Sequence, residues 1–323
     1  MNQKHIQIRD PFVVADQAQR CYYLFGTTDK DCWKGPGTGF DCYRSEDLID
    51  WEGPIPAFRP PPGFWGTHNF WAPEVHHYQG RYYMFATFAG ERVFRGTQIL
   101  VSDLISGPYV PLTDGPITPG NWQCLDGTLH IDGKGEPWIV FCHEWMQVHD
   151  GAMYAMRLSH DLTRAAAPPV FLFNASQAPW AYRSGWPGPG QPSQFPAYLS
   201  GPEVAASYPF PIHVTDGPFL HRKKDGMLLM LWSTLGEEGY TMGLAHSESG
   251  EVSGPWIQLA EPLWTQDGGH GMIFRTFEGR LFIAIHHPNQ TPLERPLFVE
   301  IEETASGIRF KNQASREHAD MPK

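Results

Sequence analysis

Five strongly apolar stretches recur along the chain, and each is bounded by turns rich in Gly and Pro. They hold six to nine residues each and contain, in order, YYLFGT, YYMFATFA, PWIVFCH, LLMLWSTL and LFIAIHH. Apolar runs of this length, bounded by turn residues, predict strands that are buried between packed sheets. The segments HYQGRYY, KDGMLL and FEGRLF place a turn directly before three of these runs, which predicts hairpins.

Each apolar strand belongs to a longer unit that recurs about five times. A unit opens with Asp, Glu or His beside Gly or Pro, continues through a strand, a turn, the apolar strand and a more polar strand, and closes on a turn. The five openings read RDPFVV, FWAPEV, CLDGTLH, VTDGPFL and GGHGMIF. Four-stranded sheets repeated around an axis are the blades of a β-propeller. The pattern therefore predicts an all-β fold, a five-bladed β-propeller with four-stranded antiparallel blades.

A large β-sandwich also has many short strands and is the alternative fold. The recurrence of one type of opening favours the propeller, because its innermost strands bring all openings to the central channel. We expect a single propeller domain over residues 1–323. Residues 173–213 are rich in Pro, Gly and Trp and predict a long loop packed on the body beside the active site; the stretch PPPGFWGTHNFW predicts a shorter one.

Composition and charge narrow the classes of partner. The net charge is −11 and no basic run is present, which argues against binding to nucleic acid or to anionic membranes. No apolar stretch approaches the roughly 18 residues of a membrane span. Aromatic residues make up 14% of the chain, with 12 Trp, which is typical of sugar-binding proteins but also of propeller cores.

The five cysteines have no CxxC spacing, so they predict free thiols rather than a disulfide framework or a zinc site. A single pair among Cys21, Cys32 and Cys42 is the alternative. Free thiols indicate a reducing compartment. The N-terminal residues MNQKHIQIRDPF lack the apolar core of a signal peptide, which predicts a cytoplasmic protein, or a secreted or periplasmic one whose signal has been removed.

Three openings carry an aspartate just before an apolar strand: Asp10, Asp126 and Asp216. Each alone is typical of an ordinary turn. At equivalent places in three blades they would converge near the axis. Glycoside hydrolysis needs two carboxyl groups beside the scissile bond, one ionised and one protonated. A third acid raises the pKa of its neighbour by repulsion between like charges. The three aspartates therefore predict a glycosidase active site.

Taken together, RDPFVV, FWAPEV, LDGTLH, TDGPFL and GGHGMIF resemble glycoside hydrolase family 43, in this order and over nearly the whole chain. The resemblance implies a five-bladed propeller and an inverting enzyme that acts on α-L-arabinofuranosides or β-D-xylosides. It implies that Asp10 is the general base, that Asp126 tunes the pKa of the acid and orients it, and that Asp216 is the general acid.

The fourth opening departs from the family pattern, which has Glu-Gly-Pro where this chain has Asp-Gly-Pro from position 216. The shorter side chain would withdraw the proton donor by about 1 Å, which can lower the rate about a hundredfold. Three explanations stay open. The backbone moves inward, another acid such as Glu203, Glu237 or Glu238 serves instead, or the protein binds sugars without hydrolysing them. We favour Asp216, with Glu238 as its main rival.

Further residues near the openings are predicted to line the substrate pocket: Trp71, Glu74, His143, Trp145, Glu238 and Arg295. Trp71 either stacks on a sugar ring or fills the gap between blades. Arg295, in ERPLF, resembles a family arginine that contacts the substrate. By the same resemblance, His270 lies beside a central, largely hydrated calcium ion, which would be structural because calcium prefers oxygen ligands. The chemistry itself requires no cofactor.

The leading prediction is an exo-acting or side-chain-removing glycosidase. It would release α-L-arabinofuranose, or xylose- or galactofuranose-like residues, from plant-type polysaccharide or oligosaccharide. One alternative is a catalytically impaired carbohydrate-binding propeller. Another is a related propeller enzyme such as a fructan hydrolase or a mannoside phosphorylase; the absence of a WMNDPNG-type opening argues against the fructan hydrolase.

Overall fold

Twenty strands form five four-stranded antiparallel sheets in the computed structural model, which describes residues 1–181 and 212–311. Every sheet uses four strands that are consecutive in the chain and pair in chain order. Blades one and two consist of β1 (Arg9–Asp16), β2 (Cys21–Thr27), β3 (Phe40–Ser45), β4 (Glu52–Phe58), β5 (His68–Tyr78), β6 (Arg81–Ala89), β7 (Gly96–Ser102) and β8 (Val110–Pro111).

Blades three to five repeat this plan. Their strands are β9 (Cys124–Ile131), β10 (Pro137–His143), β11 (Ala152–Arg157), β12 (Val170–Asn174), β13 (Asp216–Arg222), β14 (Leu228–Gly236), β15 (Gly239–Ser247), β16 (Trp256–Gln258), β17 (Gly269–Arg275), β18 (Leu281–His287), β19 (Arg295–Thr304) and β20 (Gly307–Phe310). The first strands β1, β5, β9, β13 and β17 contact one another in a closed ring. The prediction of an all-β, five-bladed propeller is confirmed.

Helical structure in the described residues is limited to three single turns. They are the 3-10 turn Gln3–His5, the helix α1 (Trp145–Val148) and the 3-10 turn Ala175–Gln177. No helix in residues 1–181 or 212–311 has the length and apolar character that a bilayer span needs.

The core lies between neighbouring blades. The second strands carry the apolar runs found in the sequence, and every residue of β2 is buried. Four apolar clusters join blades five, one and two, blades two and three, blades three and four, and blades four and five. Burial of apolar surface on both faces of each sheet is therefore what holds the blades around the channel.

The loops expected beside the channel are partly described. Phe173 lies in the outer strand β12 and not in a loop. Trp180 packs on Trp232 of blade four, with ring centroids 4.8 Å apart. Residues 182–211 lie outside the described residues. In the shorter stretch, the rings of Phe64 and Trp65 pack on Phe88 at 5.0 and 6.1 Å, so they extend the core of blade two.

The prediction of free thiols is confirmed, because all five cysteines are buried and none forms a disulfide. The alternative pair among the first three is not formed. Burial raises the pKa of the Cys32 and Cys42 thiols to about 12, which leaves them unreactive at neutral pH.

Main-chain and side-chain contacts across the seam close the ring of blades, because the sheets of blades one and five are each built from one continuous segment. The Ile8 N–H donates to the carbonyl of Glu294 at 3.4 Å. The guanidinium of Arg9 lies 3.8 Å from the Glu294 carboxylate and donates to Asn289 at 2.7 Å. Arg9 and Glu294 are both buried, so the seam between blades one and five contains a buried ion pair.

Removal of one partner from this buried pair is expected to destabilise the propeller. We expect Glu294→Ala to lower the free energy of unfolding by about 3–5 kcal/mol, because the charge of Arg9 stays buried without its partner. Urea denaturation followed by tryptophan fluorescence measures this. Glu302→Ala is the control, since Glu302 pairs with Arg309 at the surface and should cost less than about 1 kcal/mol. Equal losses for the two variants would contradict the role of the pair in closure.

Candidate active site

The first strand of every blade has a residue with left-handed backbone geometry at an equivalent place near the channel, and β5 has a second one at Asn69. Arg9, just before Asp10, pairs with Thr27 of β2, and Asp216 occupies the corresponding paired position opposite β14. Asp10 and Asp126 are therefore equivalent, whereas Asp216 lies one residue earlier in its blade. The left-handed residues, with φ of 53°, 45°, 55°, 53° and 51°, are Asp10, Ala72, Asp126, Gly217 and His270.

The prediction that the three acids occupy equivalent places is thus wrong for Asp216, and the His270 ring supplies the reason. A Cβ atom on Gly217 would lie 2.8 Å from Cγ of His270. The φ of Gly217 is 53°, a geometry that glycine adopts without strain. No acidic side chain fits at position 217, so the carboxyl group of blade four comes from the residue before it.

Asp10 is held by contacts from three neighbours. Its Oδ2 accepts a hydrogen bond from Thr27 Oγ1 at 2.7 Å, and its Oδ1 lies 3.1 Å from His270 Nδ1. Its N–H donates to His286 Nδ1 at 3.2 Å. Burial alone would raise the pKa of Asp10, but the charge and hydrogen bond of His270 and the charge of Arg9 together hold it well below its usual range. Asp10 is therefore ionised at neutral pH, as a general base must be.

Asp126 is more buried than Asp10, and its pKa is shifted in the opposite direction. Its Oδ2 accepts a hydrogen bond from the Gly217 N–H at 3.0 Å and lies 3.7 Å from His270 Nδ1. Burial raises the pKa of Asp126 to about 8; the charge of His270 opposes this shift, and repulsion from Asp216 and Asp10 adds to it. Asp126 is therefore biased toward its protonated form near neutral pH.

Asp216 is oriented by a buried tyrosine. The Tyr240 hydroxyl donates to Asp216 Oδ2 at 3.1 Å, and the Tyr240 ring stacks on His286 with centroids 5.5 Å apart. Burial raises the pKa of Asp216 to about 6, although the charge of His270 and the bond from Tyr240 both lower it. Asp126 and Asp216 repel each other and titrate as a pair. The cluster therefore holds one ionised carboxyl group and two whose pKa values are raised.

His270 lies between the carboxylates. Burial would lower its pKa, but the charges of Asp10 and Asp126 raise it to about 10, so the ring is an imidazolium at neutral pH. An imidazolium has no lone pair for a metal. Among residues 1–181 and 212–311, no group of three or more His, Cys, Asp or Glu side chains is arranged to hold a metal ion. The described residues thus do not by themselves fit a calcium site, and the calcium ion stays a prediction from the resemblance.

Two tryptophans flank the openings of blades one and two. Trp71 donates from Nε1 to the carbonyl of Cys32 at 2.8 Å, and its ring meets Trp33 edge to face at 5.2 Å. The guanidinium of Arg95 lies 4.5 Å above the Trp71 ring, and that of Arg9 lies 4.8 Å above Trp33. Trp71 is only 9% exposed, which favours a packing role. Trp33 is more accessible and is the better surface for a sugar ring.

A buried ion pair lies beside Trp71. Arg95 Nη1 donates to both carboxylate oxygens of Glu144 at 2.6 Å, and Nη2 donates to Asn69 at 3.1 Å. The charge of Glu144 also raises the pKa of Asp216. Of the three residues that end β10 and begin α1, Glu144 is therefore the one with an electrostatic effect on the catalytic cluster.

The remaining predicted pocket residues divide between the channel and the core. Glu74 lies 3.1 Å from His76 Nε2, and its charge contributes to the raised pKa of His270. His143 stacks on Trp122 with centroids 4.3 Å apart and an interplanar angle of 5°. Trp145 is buried in a cluster with residues 212 and 214.

Arg295 and Glu238 complete the predicted site residues. The guanidinium of Arg295 donates to the carbonyls of Lys4 and Pro292, both at 3.0 Å. Arg295 thus fastens the N-terminal segment to blade five, and its contact with the substrate stays a prediction. Glu238 is exposed at the turn between β14 and β15. Glu203 lies outside the described residues.

Sequence reasoning missed Thr27, Arg95, Tyr240 and His286. A signal for Thr27 was present, because three apolar strands end with a hydroxyl residue in FGTT, FATF and LWST. These hydroxyls fall opposite the openings of their blades: Thr27, Thr87 and Ser233. Tyr240 meets Asp216 within blade four, and His286 meets Asp10 only because blade five closes on blade one.

Removal of the Tyr240 hydroxyl is expected to shift the pH profile of hydrolysis. Tyr240 donates to the carboxylate form of Asp216 and so lowers its pKa. In Tyr240→Phe that pKa rises, and the acid stays protonated to higher pH. We expect kcat/KM of the wild type to fall above about pH 6, and we expect this alkaline limb to move up by about one pH unit in the variant.

The control for this experiment is Tyr78→Phe, at the far end of β5, which should leave the limb in place. A downward shift in Tyr240→Phe, or none, would show that the alkaline limb reports a group other than Asp216.

A five-bladed propeller with three carboxyl groups of unequal pKa at its axis contains the acidic groups that glycoside hydrolysis requires. The sequence model for glycosyl hydrolases family 43 matches residues 5–305. This chain belongs to that family and is a family 43 glycoside hydrolase. The match excludes the fructan hydrolase and phosphorylase alternatives as the family of this chain.

Several relatives have been characterised or solved. An endo-arabinase from Bacteroides thetaiotaomicron VPI-5482 is 39% identical, with a TM-score of 0.82 over 94% of this chain and 98% of that one. An endo-1,4-beta-xylanase from the same organism is 22% identical, with a TM-score of 0.70 over 96% of both chains, and shares the fold. The extracellular endo-alpha-(1->5)-L-arabinanase 1 of Bacillus subtilis (strain 168) is 25% identical over 130 residues, which span 35% of this chain and 40% of that protein.

Proposed function

We propose that this protein is an inverting glycosidase that hydrolyses α-L-arabinofuranosidic linkages in arabinan and its oligosaccharides. The observation that carries the proposal is the hydrogen-bonded cluster of carboxyl groups at the axis, in which the pKa of Asp10 is held low and the pKa of Asp216 is raised to about 6. Similarity to an endo-arabinase at 39% identity supports arabinan as the substrate.

The residues of the cluster divide the reaction between them. Asp10 takes a proton from a water molecule, and the oxygen of that water bonds to the anomeric carbon. The bond from this carbon to the leaving oxygen breaks as Asp216 donates its proton to that oxygen. Tyr240 orients Asp216 and lowers its pKa, and Asp126 holds the N–H of the next residue, Gly217. Solvent then returns Asp10 and Asp216 to their starting protonation states.

Digestion of linear 1,5-arabinan, arabinoxylan and nitrophenyl pentosides tests the substrate class. We expect arabinan to be degraded to oligosaccharides, and the product anomers seen by NMR to be inverted. Release of arabinose alone would assign terminal cleavage to the same site. Hydrolysis of xylan without hydrolysis of arabinan would contradict the proposed substrate.

A carbohydrate-binding propeller with impaired catalysis is the second candidate. The short side chain of Asp216 supports it, because the family pattern has glutamate at this place. Calorimetric binding of arabino-oligosaccharides without turnover of any glycoside, including those with activated leaving groups, would favour this candidate.

A further inference from the structure

Main-chain N–H groups at the axis form a repeated set of contacts between blades. The left-handed residue of one blade donates its N–H to a side chain on the second strand of the preceding blade. The four pairs, at 2.8, 2.9, 2.9 and 3.2 Å, are Ala72 with Thr27 Oγ1, Asp126 with Thr87 Oγ1, His270 with Ser233 Oγ and Asp10 with His286 Nδ1.

The fifth contact, between blades three and four, has a different acceptor. Cys142 of β10 occupies the acceptor position that faces blade four. A thiol is a weak acceptor, and the Gly217 N–H donates instead to Asp126 Oδ2 at 3.0 Å. The set therefore anchors the backbone of every opening, and at blade four it also anchors a carboxylate.

Thr27 makes a second contact within this set. Its Oγ1 accepts from the Ala72 N–H, and the same oxygen donates to Asp10 Oδ2 at 2.7 Å. A hydroxyl has one proton, and an N–H group can only donate. The bond from Ala72 therefore directs the Thr27 proton toward Asp10. Thr27 is 2% exposed, so water does not compete for either bond.

The carboxylate of Asp10 is thereby held at both oxygens. Thr27 contacts Oδ2, and His270 Nδ1 lies 3.1 Å from Oδ1. The backbone of Asp10 is fixed separately by His286. These contacts come from blades one and five, and Thr27 is itself held by blade two. The plane of the carboxylate is therefore set by the junction of three blades.

We propose that Thr27 is a positioning residue for the general base, which it holds in the orientation that accepts the proton of the attacking water. The inference rests on the proposed function, in which Asp10 is that base. Thr27 does not touch the substrate in this assignment. Its effect is on turnover, because a carboxylate that rotates away from the water loses the alignment on which proton transfer depends.

Thr27→Val and Thr27→Ser test the proposal. Valine keeps the branched shape and removes the hydroxyl, so we expect kcat on arabinan to fall about tenfold to a hundredfold while KM changes less than about twofold. The loss should be equal for nitrophenyl and dinitrophenyl arabinofuranosides, since the base acts on water and not on the leaving group. Serine keeps the hydroxyl and should retain kcat within about threefold of the wild type.

Thr87→Val is the matched control for stability, because Thr87 accepts the equivalent N–H in the next blade. Both valine variants should lower the Tm by similar amounts. A kcat unchanged in Thr27→Val, a loss that serine does not restore, or a loss confined to poor leaving groups would overturn the inference. If Asp10→Asn is itself active, the proposed function fails; if Asp10→Asn is inactive and Thr27→Val is not impaired, only this inference fails.

Discussion

Asp10→Asn is expected to lower turnover by about 10²- to 10⁴-fold while the propeller stays folded. An amide does not take a proton from water, so the attacking oxygen loses its base. The side-chain volume is nearly unchanged. Asn is also among the few non-glycine residues that tolerate left-handed backbone geometry, and φ at position 10 is 53°. The substitution therefore removes the charge with little strain on the backbone.

The folded state of this variant is checked by circular dichroism and by calorimetric binding of an arabino-oligosaccharide, which should persist. Asp16→Asn is the matched control, because Asp16 ends the same strand and caps a surface turn. It should leave kcat unchanged. Residual activity of Asp10→Asn within tenfold of the wild type would remove Asp10 from the role of general base.

The fold could be predicted from the sequence because its main signals are local. The apolar second strands and the hairpin turns before them lie within each blade. The pattern of one unit, repeated five times, therefore predicts the five-bladed architecture. The acids Asp10 and Asp126 were found in the same way, since each opens a unit that repeats.

The arrangement around these acids depends on distant pairs and could not be predicted in this way. Asp10 meets His270 across 260 positions of sequence, and this contact exists only because blade five closes on blade one. The offset of Asp216 by one residue has the same origin, since the His270 ring excludes a side chain at Gly217. The contact of Arg295 with the carbonyl of Lys4 has the same character, because Lys4 lies at the other end of the chain.

Asp216→Ala is expected to show a strong dependence on the leaving group. If Asp216 donates the proton, its loss should lower hydrolysis of arabinan about 10²- to 10⁴-fold, because a sugar alkoxide is a poor leaving group. Dinitrophenyl arabinofuranoside should lose less than about tenfold, because dinitrophenolate departs without a proton. The measurement is kcat/KM over a series of aryl glycosides, plotted against the pKa of the released phenol.

Glu238→Ala is the comparison that decides between the two candidate acids. Glu238 is exposed at a turn and Asp216 is bonded to buried Tyr240, so we expect Glu238→Ala to give a flat plot close to that of the wild type. A steep plot for Glu238→Ala with a flat one for Asp216→Ala would move the general acid to Glu238.

Asp216→Glu restores the length that the family pattern has at this place, and we expect it to lower activity. Asp216 Oδ2 already lies 3.1 Å from the Tyr240 hydroxyl. The residue after it is fixed, because Gly217 packs against the His270 ring. An added methylene therefore has to displace Tyr240 or rotate the carboxyl group away from it, and either change misaligns the proton donor. A rise in activity above the wild type would show instead that the aspartate is too short for its task.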